Sequence, residues 1–159
     1  MNVHPHVYAT RLRWIGAAGG ATTSYKTYSR DYAIEADGKP ELRGSADPHF
    51  LGDATRYNPE DLLVAALSAC HLLTYLAECA RAGIAVVAYE DDAHGEMTLI
   101  DGVMRFREVV LHPKVALADS ARIDEAIALH ERAHGLCFIA NSVNFPVHHE
   151  AAVTAAQPA

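Results

Sequence analysis

Residues 58–83 constrain this chain more than any other stretch. Asn58 is a good helix N-cap, Pro59 suits the first helical position, and Glu60 and Asp61 favour the positive end of a helix dipole. Gly83 suits the far end. Between them the pattern predicts one long helix over residues 59–82. Residues 62–76 are apolar on nearly every side, so this helix must be buried and the rest of the chain must wrap it. Its longest apolar run, 62–73, is interrupted by Ser68 and His71 and falls short of the roughly 20 residues a bilayer requires.

The remaining elements read mostly as strands. Residues 7–15, 25–34 and 41–45 form three, with Asp37-Gly38 as a hairpin turn. Two more, 86–99 and 103–117, are joined at Asp101-Gly102. A second helix is expected from Asp119 or Ser120 to His134, a last strand over 146–154, and a loose AAQPA tail. The order β-β-β-α-β-β-α-β predicts an α+β fold with mainly antiparallel sheets. A length of 159 residues suits one domain, with its core over 7–154.

Charge narrows the function. With 13 Lys+Arg against 20 Asp+Glu and a net charge of -7, the chain is not expected to bind nucleic acid, which would want a basic patch. The N-terminal MNVHPHVYATRLRW has no apolar stretch of the signal-peptide kind, so a cytoplasmic protein is expected. In that compartment Cys70, Cys79 and Cys137 read as buried thiols, metal ligands or redox groups rather than a disulfide framework.

Cys70 lies inside the apolar helix, where a thiol is either packed and inert or reactive with help from elsewhere. Cys79 lies nine residues on, half a turn out of phase, and reads as structural. Cys137 differs. Ile123, Ile127, His130, His134 and Cys137 recur at helical spacing, and the two isoleucines turn that face inward, toward the Cys70 helix. His130, His134 and Cys137 also have zinc-ligand character, but no second ligand cluster accompanies them, and no metal or cofactor is expected. No Asn or Asp stands near a Cys–His pair to orient a hydrolase. The other histidines, His148 and His149 among them, read as surface or strand residues.

Arg30 shares a strand face with Tyr28, Tyr32 and Ile34. An inward arginine needs an anion, and Glu60 is a candidate; otherwise Arg30 snorkels to solvent and Glu60 is a plain dipole acid. Glu60 and Cys70 are ten helical residues apart, about 15 Å. A site holding Arg30, Glu60 and Cys70 together therefore draws on two copies of the chain.

These residues resemble the OsmC/Ohr family, named for osmotically inducible protein C and organic hydroperoxide resistance protein. NPEDLLVAALSAC, AHGLC and YSRDY carry the likeness, in order, over roughly residues 7–154. The resemblance implies the OsmC-like fold, a buried central helix and an intertwined homodimer with sites at the interface. It implies thiol-dependent reduction of organic hydroperoxides, with hydrogen peroxide as a lesser substrate and a small dithiol or lipoyl-type reductant. Cys70 would be the nucleophile, Cys137 the resolving cysteine, Arg30 the thiolate partner and Glu60 its brace. Phe138 stands where many relatives have proline, the 45–57 loop differs, and Arg43 and Arg56 compete for the arginine role. The rival reading is a non-catalytic stress-response protein that holds a small ligand or metal on the same fold.

Overall fold

Asn58 starts the central helix as its side chain predicts. In the computed structural model, which describes residues 4–156, Asn58 Oδ1 accepts from Asp61 N–H at 2.7 Å and Asp61 Oδ2 accepts from Asn58 N–H at 3.2 Å. This reciprocal pair satisfies two helix-start donors. The helix, α1, runs Pro59–Arg81. It ends with Gly83 at φ 69°, Ile84 N–H bonded to Cys79 O at 2.9 Å and Gly83 N–H to Ala80 O at 3.1 Å, a Schellman motif. The 23-residue helix is longer than its apolar run and is apolar and long enough, by composition alone, to cross a bilayer. It instead carries a buried Glu78 paired with Arg81 and, at 2.5 Å, with Arg132.

The chain forms two compact units that meet in sequence at Leu62 and Leu63. The first holds a three-stranded antiparallel sheet of β1 (Arg11–Trp14), β2 (Tyr32–Glu35) and β3 (Leu42–Gly44). β1 and β2 are shorter than expected. Residues 25–31 leave the extended path because serines bond to nearby backbone: Ser24 Oγ accepts from Lys26 N–H and Ser29 Oγ from Asp31 N–H.

In the second unit, the three long strands predicted after α1 each break in two. β4 (Val86–Asp91), β7 (Pro113–Leu117) and β9 (Ala152–Ala155) form one sheet. β5 (His94–Ile100), β6 (Val103–Leu111) and β8 (Val147–His149) form another. Asp91 holds this corner. Its carboxylate accepts from His112 N–H at 2.7 Å and from Ser68 Oγ of α1 at 2.5 Å. Pro113, which has no N–H, starts β7 there. Pairing is antiparallel for β4–β7 and β5–β6 and parallel for β6–β8 and β7–β9. The Asp101-Gly102 turn has φ 52° and 79°, as a primed hairpin turn needs.

α2 spans Ile123–Leu136, after a 3-10 turn capped by Asp119. Tyr75 and Cys79 of α1 pack with Ala126 and Ala133 of α2 and with Val115 and Leu117 of β7. Leu67 packs with Val109, Leu111 and Val147. Burying a side chain of that size contributes about 1.5–3 kcal/mol. On the other side of α1, among the described residues, Ala65, Ala69 and Leu73 are exposed, Leu73 by 67%. Of the AAQPA tail, the last three residues lie outside the described ones.

Candidate active site

Cys70 sits mid-helix on α1 and is half-buried. The helix dipole acts mainly in the terminal turns and gives a thiolate here little help. Cys137 follows the last residue of α2, with φ -68° and ψ 113°, which ends the helix and turns the chain back. The structure brings the two together. Cys70 is near enough to act on the Cys137 thiol, and Ile139 N–H, two residues beyond Cys137, points at Cys70 Sγ at 3.5 Å. Both thiols are free. Cys137 is 1% exposed, and burial, reinforced by the neighbouring Cys70 sulfur, holds its thiol well above the ordinary range. At neutral pH Cys137 is therefore a protonated donor beside the more accessible Cys70. Cys79 is also buried, with its thiol pushed up by desolvation.

The turn after Cys137 depends on Asn141, which sequence reasoning missed. Its Nδ2 donates to Cys137 O at 2.8 Å and Gly135 O at 3.1 Å. An Asn soon after a helix end is the available signal, because its short amide reaches free terminal carbonyls.

The inward face of α2 is rotated from the one expected. Ala126, His130 and Ala133 are buried, whereas Ile127 is 44% exposed. The small alanines allow close approach to α1. His130 remains inward, but its Nδ1 is 3.0 Å from His71 Nε2, so the nitrogen is engaged by another imidazole. Among the described residues no three His, Cys, Asp or Glu side chains are arranged to hold a metal ion. His149, read from sequence as surface or strand, lies on β8 but is 12% exposed, within the same imidazole group.

Arg30 and Glu60 belong to the first unit and line one cavity of about 380 Å³ with Trp14, Tyr28, Tyr32 and Phe50. Arg30 does not lie on a strand, yet Tyr28, Arg30 and Tyr32 still face one space. Its Nη1 donates to Tyr28 O at 2.6 Å, its Nη2 donates to Tyr25 O, and the guanidinium stands 4.0 Å from the Tyr28 ring centre. The expected brace by Glu60 is not a direct ion pair here: backbone carbonyls fix Arg30, and Glu60 Oε2 is buried without a partner among the described residues. Glu60 does help burial raise the Tyr32 hydroxyl. Gly44 makes room for that tyrosine, since a Cβ there would lie 2.3 Å from its ring. The two other arginines considered from sequence both make ion pairs. Arg43 pairs with Glu41 at 2.8 Å, and Arg56 with Asp53 at 3.2 Å and Asp31 at 3.6 Å.

Comparison with known proteins matches this architecture. Residues 52–151 fit the family model described as OsmC-like protein. An OsmC-like protein of unknown function from Vibrio cholerae has a solved structure that is 32% identical, with a TM-score of 0.85 over 93% of this chain and 100% of that one. An organic hydroperoxide resistance protein from Elizabethkingia anophelis is 22% identical, with a TM-score of 0.67 over 96% of this chain and all of that one. OhrB of Bacillus subtilis, also an organic hydroperoxide resistance protein, is 19% identical, with a TM-score of 0.60 over 94% and 98% of the two chains. An uncharacterized Bacillus subtilis protein, YmaD, is 25% identical over 89 residues, which span 54% of this chain and 59% of that protein. The family match covers most of the chain and includes both Cys70 and Cys137, and this protein belongs to the OsmC-like family.

Proposed function

We propose that this protein is a thiol-dependent peroxidase that reduces organic hydroperoxides in the cytoplasm. The observation that carries this reading is the Cys70–Cys137 pair, one half-buried and one buried and protonated. The Cys70 thiolate attacks the O–O bond of ROOH. The peroxide gains two electrons and leaves as ROH after taking one proton, and Cys70 becomes a sulfenic acid. The Cys137 sulfur then attacks that sulfenic sulfur, its proton leaves with the hydroxyl as water, and a disulfide forms. A small dithiol, oxidised to its own disulfide, restores both thiols by exchange.

Arg30 supplies the positive charge that the middle of a helix lacks, and Glu60 presents a buried carboxylate oxygen, without a partner among the described residues, to the same cavity. Glu60 and Cys70 are about 15 Å apart along α1, so each site takes its arginine from one copy and its cysteines from another. The exposed apolar face of α1 supports a homodimer. Leu73→Asp is expected to shift the protein from dimer to monomer in size-exclusion chromatography with light scattering; an unchanged mass would place the interface elsewhere. Arg30→Lys is expected to lower kcat/KM by about tenfold or more, because an ammonium group cannot reproduce the planar fork held by two carbonyls and a ring.

The direct test is consumption of cumene hydroperoxide with dihydrolipoamide as reductant. Turnover faster than with hydrogen peroxide is expected, since the cavity wall is mainly aromatic and aliphatic. No turnover with any hydroperoxide would sink the proposal. The Glu60 oxygen without a partner in that cavity would then favour a small-ligand binding protein.

A further inference from the structure

Four imidazoles gather in the second unit, apart from the cysteines. His71 comes from α1, His130 and His134 from α2, and His149 from β8. His71 and His130 are each 1% exposed and share the 3.0 Å Nε2···Nδ1 bond, with rings parallel to within 8°. His149 stands 5.4 Å from the His71 ring, 5.9 Å from His130 and 5.6 Å from His134. Tyr75 stacks on His130 at 3.8 Å. His71 Nδ1, His130 Nε2 and His134 Nδ1 are buried with no partner among the described residues.

The anions around this group are either in water or already engaged. On α2, Glu131 is 81% exposed and lies 3.5 Å from His149 Nε2. On β8, His148 is 3.8 Å from Glu108. On β4, Asp91 already accepts from Ser68 and His112, and the other ionisable neighbour is the Tyr89 hydroxyl. No carboxylate among the described residues forms an ion pair with His71 or His130.

This bond holds only while one proton lies between the rings. If both rings carry two protons, two N–H groups and two positive charges face each other across 3.0 Å; the buried carboxylate of α1, Glu78, is already paired with Arg81 and Arg132. The helices must then separate. They pack antiparallel: Cys79 shares a cluster with Ala126, His71 meets His130, and Cys70 meets the Cys137–Ile139 turn. Separation at the histidines frees the Cys137 end first and leaves the Cys79 end packed.

We propose that the His71–His130 pair is an acid-released latch that holds Cys137 against Cys70 at neutral pH and frees it in acid. This rests on the reading of Cys70 and Cys137 as a reactive pair, and it would leave an oxidised Cys70 unresolved at low pH. The test is the rate of labelling at Cys137 relative to Cys79 with 4,4'-dithiodipyridine, resolved by peptide mass spectrometry. It uses full-length Cys70→Ser protein, so peroxidase activity plays no part. Because both reference thiols start buried, whole-protein unfolding labels them together. The Cys137/Cys79 ratio is expected to rise by about tenfold or more from pH 7.5 to pH 5, because opening is linked to proton uptake by two histidines. Adding His71→Leu and His130→Leu is expected to flatten it to within about twofold, since apolar replacement of both partners leaves nothing to protonate. His71→Gln with His130→Gln serves if the leucine pair does not fold. A ratio that stays flat with the histidines present, or rises equally without them, overturns the latch. Peroxide turnover without a pH-dependent ratio would sink the latch and leave the peroxidase reading intact.

Discussion

Cys70→Ser is expected to consume hydroperoxide at least about 10³-fold more slowly than the unmodified protein, because on the proposed mechanism it removes the attacking sulfur. The other two cysteines cannot replace it. Cys137 and Cys79 are each 1% exposed, and burial keeps both thiols protonated at neutral pH. A protonated thiol is a poor nucleophile. The same environments separate the expected phenotypes. Cys137→Ser should give one rapid equivalent of peroxide loss and then stall, with Cys70 passing to sulfinic acid in excess peroxide. Cys79→Ser should turn over normally. A rapid-quench trace and peptide mass spectrometry distinguish the three. Normal steady-state cycling by Cys137→Ser would show that another group resolves the sulfenic acid. A disulfide through Cys79 would be unexpected, because Cys79 packs at the opposite end of the α1–α2 contact.

The central helix and its partner thiol were legible because local chemistry encodes them. Asn58, Pro59 and Gly83 mark the ends of α1 by capping, and those signals depend little on the rest of the fold. The approach of Cys137 to Cys70 followed from an inward face on α2, although the face turned out to be set by Ala126 and Ala133 rather than by Ile127. Alanine carries a weak hydrophobic signal, but it allows close approach of helices. Arg30 reached its cavity by a route the strand pattern did not describe. Serine side chains broke the extended path, and two carbonyls then fixed the guanidinium. The breaks near Asp91, His112 and Glu150 were not legible at all. A continuous run of strand-forming residues does not say where it passes from one sheet to another, and that choice is made by distant partners such as Ser68. His149 was hidden for the same reason, since its burial comes from α1 and α2 rather than from its own strand.

Those buried imidazoles give the second large expectation: this fold loses stability between about pH 6.5 and pH 4. Burial and the neighbouring imidazoles push His71 down to about 4 and His130 down to about 3. An unfolded histidine titrates near 6.5. Between these values the unfolded chain binds protons that the folded chain refuses, so unfolding free energy falls as pH falls. The loss begins as pH drops through the unfolded value and levels off below the folded ones. Each proton difference gives a slope of about 1.4 kcal/mol per pH unit, so the pair gives up to about 2.7. By pH 5 the loss reaches about 4 kcal/mol, a large part of a typical folding free energy of roughly 5–15 kcal/mol. For a chain of this size that corresponds to a fall in Tm of about 8–16 °C from pH 7.5. The exposed carboxylates held low by their partners, among them Asp47, Asp53 and Asp92, act below this window. Their effect therefore does not mask that of the histidines. Calorimetry from pH 7.5 to pH 5 on the unmodified protein and on His71→Leu/His130→Leu checks the assignment. The variant should lose most of that fall and keep only a smaller one, since His149 is also held low by burial, and a parallel fall in both proteins would move the acid sensitivity to groups other than this pair.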